Sequence, residues 1–440
     1  MKSKSLVLLS LLFICSCQKK EYKKVLHDPR LFSETVKELN HVVMDNSFSP
    51  VVASRNYAYA AIAAYEVIAA GLPEKYQTLQ GQLKDLDSLP NLKEKHKVDI
   101  EYAALLAFCS VGQAVTFPEG SMKLYVDSVK QLAADHEMPE DVKSQSEDFA
   151  SQISKAIINW SKGDNYLKTR AAEKYIVTNN DGYWAPTPPM YGDAMEPHWN
   201  QIRPFVLDSA DQLRAPKPLE FNMKDTSSAY YKEVMMLKRA SENLTEDQKH
   251  MALFWDDNPL KMNVYGHAQF SSKKFSPPAH WMSITGIAAE KAKFNYAETV
   301  YAFAKVSIAL FDAFIQCWDS KFTYSTARPE TVINKFIDKN WTPLLQTPPF
   351  PEYTCGHSTI SSSAGEVLTE IYGDNFAFTD TTEREFGIKD RSFKSFRAAA
   401  EENNWARFYG GIHFHQSCLV STDLGRKVGQ MVVAKLKMKR

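Results

Sequence analysis

The sequence predicts an all-α protein of two packed helical bundles. Two observations carry this expectation: apolar residues recur at helical spacing along most of the chain, and strand-like alternation is almost absent. With 440 residues, 44% of them apolar and 24% charged, the chain can bury a large core, which excludes a disordered protein or a small scaffold dependent on cross-links. Lys plus Arg number 52 against 52 Asp plus Glu, so nothing argues for a general nucleic-acid binder and any anion site must be local.

The elements follow in order. Residues 1–17, MKSKSLVLLSLLFICSC, join two lysines to an apolar run from Leu6 to Ile14, the pattern of a secretory signal. Its end, Ile14-Cys15-Ser16-Cys17, resembles the lipobox of bacterial lipoproteins. That resemblance implies lipid on Cys17, an extracytoplasmic location in the periplasm or on the outer surface, and membrane contact only through the N-terminal lipid. A polar tether is expected over 18–24, then an N-terminal helical bundle over 25–240 and a C-terminal bundle over 241–440.

Leu31, Thr35, Leu39, Val42 and Val43 lie at helical spacing, and Pro50 to Ala70 forms a second helix that stops at Gly71. Val98 to Val115 reads as a central apolar helix, followed by amphipathic helices over Ser121 to Ala134 and Pro139 to Trp160. The Pro- and aromatic-rich run from Asn179 to Pro204 cannot be a continuous helix and is expected as a long crossing loop, against the bundle or at a pocket rim. Helices resume at Ser227 to Glu242, and Thr245 with Gln248 predicts a capping box for the helix that carries Trp255. Pro277-Pro278 is expected to break the chain ahead of one very long apolar helix, or a kinked pair, over Trp281 to Asp319.

The six cysteines form no disulfide framework and no CxxC metal pair. His280 is expected as a satisfied core histidine more than a pocket residue, and the adjacent Asp256 and Asp257 lack the spacing of a calcium loop. The chemistry concentrates after residue 316. WDSKFTYSTARPE places Lys321 and Arg328 seven residues apart; PPFPEYTCGHSTISSSAGEVL leads prolines into Cys355-Gly356-His357 and a helix of small residues; WARFYGGIHFHQSCLVSTDLG separates Arg407 from His413 by five residues. Two arginines, a lysine and two histidines brought together suit a multiply charged oxyanion such as phosphate, sulfate or vanadate. Gly356 permits close backbone approach, and a helix opening at His357 or Ser358 would aim unpaired amides at the same anion. If the segments do not meet, the arginines are helix caps and the histidines core residues.

Together the three segments resemble the signature of the vanadium-dependent haloperoxidase and type 2 phosphatidic acid phosphatase superfamily: Lys, six residues, Arg-Pro; Pro-Ser-Gly-His; and Ser-Arg, five residues, His, three residues, Asp. The resemblance implies that Lys321, Arg328 and Arg407 hold the oxygens of one vanadate per chain, with the backbone amide of Gly356. It implies that His413 is the axial ligand to vanadium and His357 the acid–base residue. Two positions depart from the pattern: Cys355 stands for the serine whose hydroxyl would bond an oxygen, and Ser417 for the carboxylate that would orient His413. For Ser417, another carboxylate or a backbone carbonyl could substitute from elsewhere.

Phosphatase and haloperoxidase share this cradle. Trp318, the run Phe350-Pro351-Glu352-Tyr353 and the long preceding scaffold look like the haloperoxidase branch, with Trp318 and Phe350 lining the halide side. The expected activity is oxidation of iodide, or alternatively bromide, by hydrogen peroxide to hypohalous acid, with a small organic halogen acceptor as a further partner. The alternatives are a phosphatase acting through a phosphohistidine at His413 and a non-catalytic oxyanion-binding surface lipoprotein.

Overall fold

The computed structural model describes residues 21–178, 180–259 and 261–440. The expected signal and Cys17 lie outside the described residues. The expected tether extends into them and differs there: the chain is already helical from Glu21, and Tyr22 is buried, because its ring and Leu26 give this short helix an apolar face to pack.

Among the described residues, fifteen α-helices account for the fold and strand for only 5% of it, so the all-α expectation holds. The first half comprises α1 (Glu21–Leu26), α2 (Pro29–Asp45), α3 (Pro50–Gly71), α4 (Ile100–Ala114), α5 (Lys123–Asp135), α6 (Glu140–Ser161) and α7 (Tyr166–Arg170). The second comprises α8 (Ala229–Glu242), α9 (Glu246–Phe254), α10 (Pro277–Lys291), α11 (Tyr296–Tyr324), α12 (Pro329–Phe336), α13 (Gly356–Tyr372), α14 (Phe396–Tyr409) and α15 (His415–Lys435). Two short antiparallel hairpins, β1 (Lys261–Tyr265) with β2 (Ala268–Ser272) and β3 (Phe378–Asp380) with β4 (Arg391–Phe393), were not legible as alternation. β3 and β4 are too short to show a period of two, and β1 and β2 bury neither face, so apolar and polar residues need not alternate along them.

In the first bundle α3 packs on α4 and α4 on α6; in the second α13 lies between α11, α14 and α15. The two halves meet where α11 packs on α3, and one hydrophobic core runs continuously from Tyr22 to Met438. The division expected at 240/241 falls inside α8, which packs on α12, α14 and α15.

Helix starts follow cap chemistry. Ser49 and Asp99 accept first-turn amides of α3 and α4, and the Thr245/Gln248 capping box opens α9, which ends one residue before Trp255. Pro277 and Pro278 begin α10 rather than break the chain, since a missing N–H costs nothing in the first turn. The long apolar stretch divides at Lys293, whose φ is 55°, and a second capping box, Asn295 with Glu298, starts α11. This helix is long and apolar enough to cross a membrane, yet its apolar window is 100% buried, so it serves as the central post of the core. Asp312 within it accepts the amides of Phe205, Val206 and Leu207 at 2.8, 2.7 and 2.9 Å, tying the end of the crossing loop to the post.

The α13–α15 contact brings backbones together. A Cβ on Gly425 would fall 2.1 Å from Thr359 O, and one on Gly429 would fall 2.6 Å from Ser363 O, so only glycine allows the approach. That contact fixes the start of α13 beside the residues that precede α15.

A candidate oxyanion and metal-ligand site

Five elements converge on one buried point: the end of α11, the start of α12, the loop from Pro348 to Thr354 with the start of α13, the end of α14, and the turn before α15. Lys321, Arg328 and Cys355 are fully buried, Arg407 is 3% exposed and His413 2%, a burial that five polar groups sustain only with partners.

The Pro-rich loop supplies most of these partners through its main chain. Lys321 Nζ donates to the carbonyls of Pro351 and Glu352 at 2.8 and 3.0 Å. Arg328 Nε donates to Phe350 O at 2.7 Å and Nη1 to Ile412 O at 2.9 Å. Phe350 lies face-on to both cations, with its ring centroid 4.9 Å from Lys321 Nζ and 4.8 Å from the Arg328 guanidinium. Trp318 packs on Phe350 at 5.0 Å and donates Nε1–H to Met195 O, so the crossing loop forms part of the pocket wall, as Met195 N on Pro349 O also shows. Burial pushes Lys321 down to about 8 and Arg328 down to about 10.

His413 sits between two groups that define its tautomer. Nδ1 lies 2.8 Å from Glu352 Oε1, which also accepts the Phe414 amide at 3.2 Å, and Nε2 lies 3.1 Å from Arg328 Nη1. A carboxylate on one side and a guanidinium N–H on the other place the proton on Nδ1 and make the Nε2 lone pair the acceptor of the Arg328 N–H. This is the form that a metal or phosphoryl centre requires. Glu352 therefore fills the position left by Ser417, whose own hydroxyl is buried without a partner. The sequence shows Glu352 only as part of an aromatic run, and no local signal links it to a histidine 61 residues away.

Arg407, near the end of α14, donates through Nη1 to Trp255 O and to Asp256 O. The α13 helix opens at Gly356, with Cys355 at its N-cap and no side-chain hydrogen bond capping the first turn. Cys355 anchors itself through its amide to Ser421 Oγ at 2.8 Å. Burial opposes ionisation of its thiol, but Cys418 and His413 beside it hold the thiol well below its usual range. An anion in the cradle would repel a thiolate and so favour the thiol. His357 follows in the first turn of α13; burial and then the Arg407 charge push its pKa well below that of a free imidazole, leaving it neutral near pH 7.

Two donors in this cluster have no acceptor: Arg328 Nη2 and Arg407 Nε are buried and unpartnered. Two cationic N–H groups from different segments, an uncapped helix start and an unprotonated histidine nitrogen fit a bound oxyanion such as the vanadate expected from the sequence. The sequence-derived residues Lys321, Arg328, Cys355, Gly356, His357, Arg407 and His413 thus lie in one place, with Trp318 and Phe350 beside them.

A two-bundle helical fold with a buried cationic cradle and a histidine nitrogen beside it defines an oxyanion-binding protein. Residues 301–339 and 334–439 match the model of the vanadium chloroperoxidase second helical-bundle domain. The structure resembles that of the first bacterial vanadium-dependent iodoperoxidase, with 41% identity, 93% of this chain and 97% of that chain covered, and a TM-score of 0.88. Holo and apo forms of a bacterial vanadium-dependent chloroperoxidase, each 16% identical with a TM-score of 0.65, share the fold; they cover 89% and 88% of this chain and 93% and 94% of theirs. No curated protein matches the sequence. The chain belongs to the vanadium-dependent haloperoxidase family. It is a haloperoxidase, and its cofactor is vanadate.

Proposed function

We propose that the enzyme oxidises iodide with hydrogen peroxide, forming hypoiodous acid or its equivalent, at the cradle around His413. The observation that carries this reading is the pairing of Glu352 with His413 Nδ1, which keeps Nε2 unprotonated and facing the Arg328 guanidinium. When bound, vanadate supplies Lewis-acid activation of peroxide. The chain supplies the rest. Lys321, Arg328 and Arg407 would hold its oxygens, His413 its metal, and the neutral imidazole of His357 would take and return a proton. Trp318 and Phe350 form an apolar, polarisable wall that suits a large, weakly hydrated halide. The 41% identical relative is an iodoperoxidase, which supports iodide over the other halides.

We further propose that the enzyme works outside the cytoplasm, held by lipid on Cys17, on the strength of the leader sequence. Intact mass of membrane-extracted protein should show loss of residues 1–16 and added acyl mass. For the reaction, purified apoprotein should gain peroxide-dependent iodide oxidation on addition of orthovanadate, and phosphate should compete with that gain. Vanadate-loaded protein that leaves iodide unoxidised between pH 5 and 8, yet hydrolyses phosphate monoesters through a phosphohistidine at His413 when vanadate is removed, would reverse the assignment.

A further inference from the structure

Behind His357 lies a buried charged cluster that the cradle does not use. Asp257 follows α9, His280 lies in the first turn of α10, Asp380 ends β3, and Glu383 lies in the turn after it. Asp257 is 1% exposed and the other three are fully buried.

Both nitrogens of His280 are engaged. Nδ1 lies 2.8 Å from Asp257 Oδ1 and Nε2 lies 2.8 Å from Asp380 Oδ2. A neutral imidazole has only one N–H, so two carboxylates at these distances call for the imidazolium. Burial opposes that charge, but Asp257 and Asp380 outweigh it and hold the pKa of His280 well above the ordinary value. Trp255 stacks on the ring at 4.6 Å and fixes its plane. Glu383, pushed up to about 8 by burial and then by Asp257, is protonated at neutral pH, and Lys274 Nζ lies 3.7 Å from it. Two carboxylates are thus balanced by His280 and Lys274. A metal ion among Asp257, His280 and Glu383, whose ligand atoms lie within 4.8 Å of one another, would have to displace that balance.

One oxygen of this cluster faces the cradle. Asp257 Oδ2 has no hydrogen-bond partner and lies 4.0 Å from His357 Nε2, which also has none. Two buried orphan atoms that face each other are costly unless they join, and catalytic hydrogen bonds commonly tighten once ligand is bound. Arg407, Cys355, His413 and His280 are the charged or titratable groups that bear most on His357, and none of them is a carboxylate. Asp257 Oδ2, at 4.0 Å, is a carboxylate oxygen able to accept its N–H.

The geometry points to His280 as a positioning residue that acts on His357 through Asp257. The imidazolium, anchored on Asp380, holds the Asp257 carboxylate so that Oδ2 receives His357 Nε2–H, which fixes the catalytic ring and leaves Nδ1 for proton exchange. This inference rests on the acid–base role proposed for His357, and the covalent structure of His280 and Asp257 is unchanged throughout.

The test compares wild type, His280→Gln and Asp257→Asn as full-length holoenzymes, with thermal unfolding as a check on the fold. Asp257→Asn is isosteric and decides the matter if His280→Gln does not fold. Both variants should lose about tenfold or more in kcat for iodide oxidation, the scale of lost outer-shell partners, while KM for iodide and peroxide and the Kd for vanadate stay within about twofold. A merely structural defect would move all of these together. Independently of turnover, crystals of the phosphate-loaded proteins should show Asp257 Oδ2 within about 3.2 Å of His357 Nε2 in wild type. The same carboxylate should be displaced in His280→Gln. Wild-type kcat in a folded variant, a phosphate-loaded wild type in which the two atoms stay apart, or a stoichiometric divalent ion released by His280→Gln would each overturn the inference. If wild type proves to be a phosphatase, His357 is still the proton donor, and the same split of kcat from KM is read on phosphate-ester hydrolysis.

Discussion

Glu352 and His413 are joined by a 2.8 Å contact between a loop carboxylate and Nδ1 of the imidazole at the cradle. The loop that carries Glu352 also supplies carbonyls to Lys321 and Arg328, so the group that orients the ring and the groups that align the cations move as one unit. Removing the carboxylate should therefore be felt mainly in cofactor retention. Glu352→Ala should weaken vanadate binding by about 10- to 100-fold, measured by titration of apoprotein. Ser417→Ala should change it by less than about twofold, because its hydroxyl has no partner to lose. The double variant Glu352→Ala with Ser417→Asp should recover part of the affinity by returning a carboxylate to the neighbourhood of His413.

Vanadate binding should weaken as pH rises through about 8. Burial lowers the pKa of Lys321 to about 8, so in the empty site its positive charge is present below that pH and lost above it. Between about 8 and the unfolded-state value near 10.5, the unfolded chain binds this proton and the folded chain does not. By linkage, Lys321 therefore makes the apoprotein more stable as pH increases across that window. Lys321→Gln should flatten both the binding and the stability slopes, measured by vanadate titration and urea unfolding at pH 7 to 10.

The two histidines should separate in mutant kinetics. His413→Ala should remove both vanadate retention and turnover. His357→Ala should keep vanadate binding better than His413→Ala while losing about 10²- to 10⁴-fold in kcat, the range for a lost general acid–base group. Steady-state rates and vanadium content of the same preparations check both outcomes.

Closing the contact between α13 and α15 to side chains should destabilise the whole protein. A methyl at Gly425 meets the Thr359 carbonyl at 2.1 Å, which cannot yield without a backbone shift. Gly425→Ala should lower the unfolding free energy by about 1–3 kcal/mol, the cost of overpacking. Vanadate affinity should fall with it, because Cys355 N is held by Ser421 of the same helix pair. Urea denaturation and vanadate titration measure the two effects.

Much of this was legible from the order of residues. The spacing of Lys321, Arg328-Pro329, Gly356-His357, Arg407 and His413 identified the cradle because motif spacing on helices and tight turns survives as a local pattern. Glu352 was visible but its role was not: its contact with His413 depends on how a loop packs against a distant turn. Local pattern makes His280 a core histidine and gives Asp256-Asp257 no calcium spacing, whereas the cluster forms only when α10, the end of α9 and the β3 hairpin meet. Pro277-Pro278 departs from its expected role for a different reason: proline breaks a helix interior but starts a helix well.

The anchoring of Lys321 and Arg328 on the carbonyls of Phe350, Pro351 and Glu352 has an evolutionary corollary. Main-chain oxygens are inherited whatever codon stands at a position, so the cations stay aligned while neighbouring side chains drift. An acidic partner can then stand on the loop, as Glu352 does here, and not at the helix position of Ser417, without disturbing the cations. A census of such enzymes that scores only fixed motif positions would discard this chain; one that asks which acid reaches the histidine would keep it.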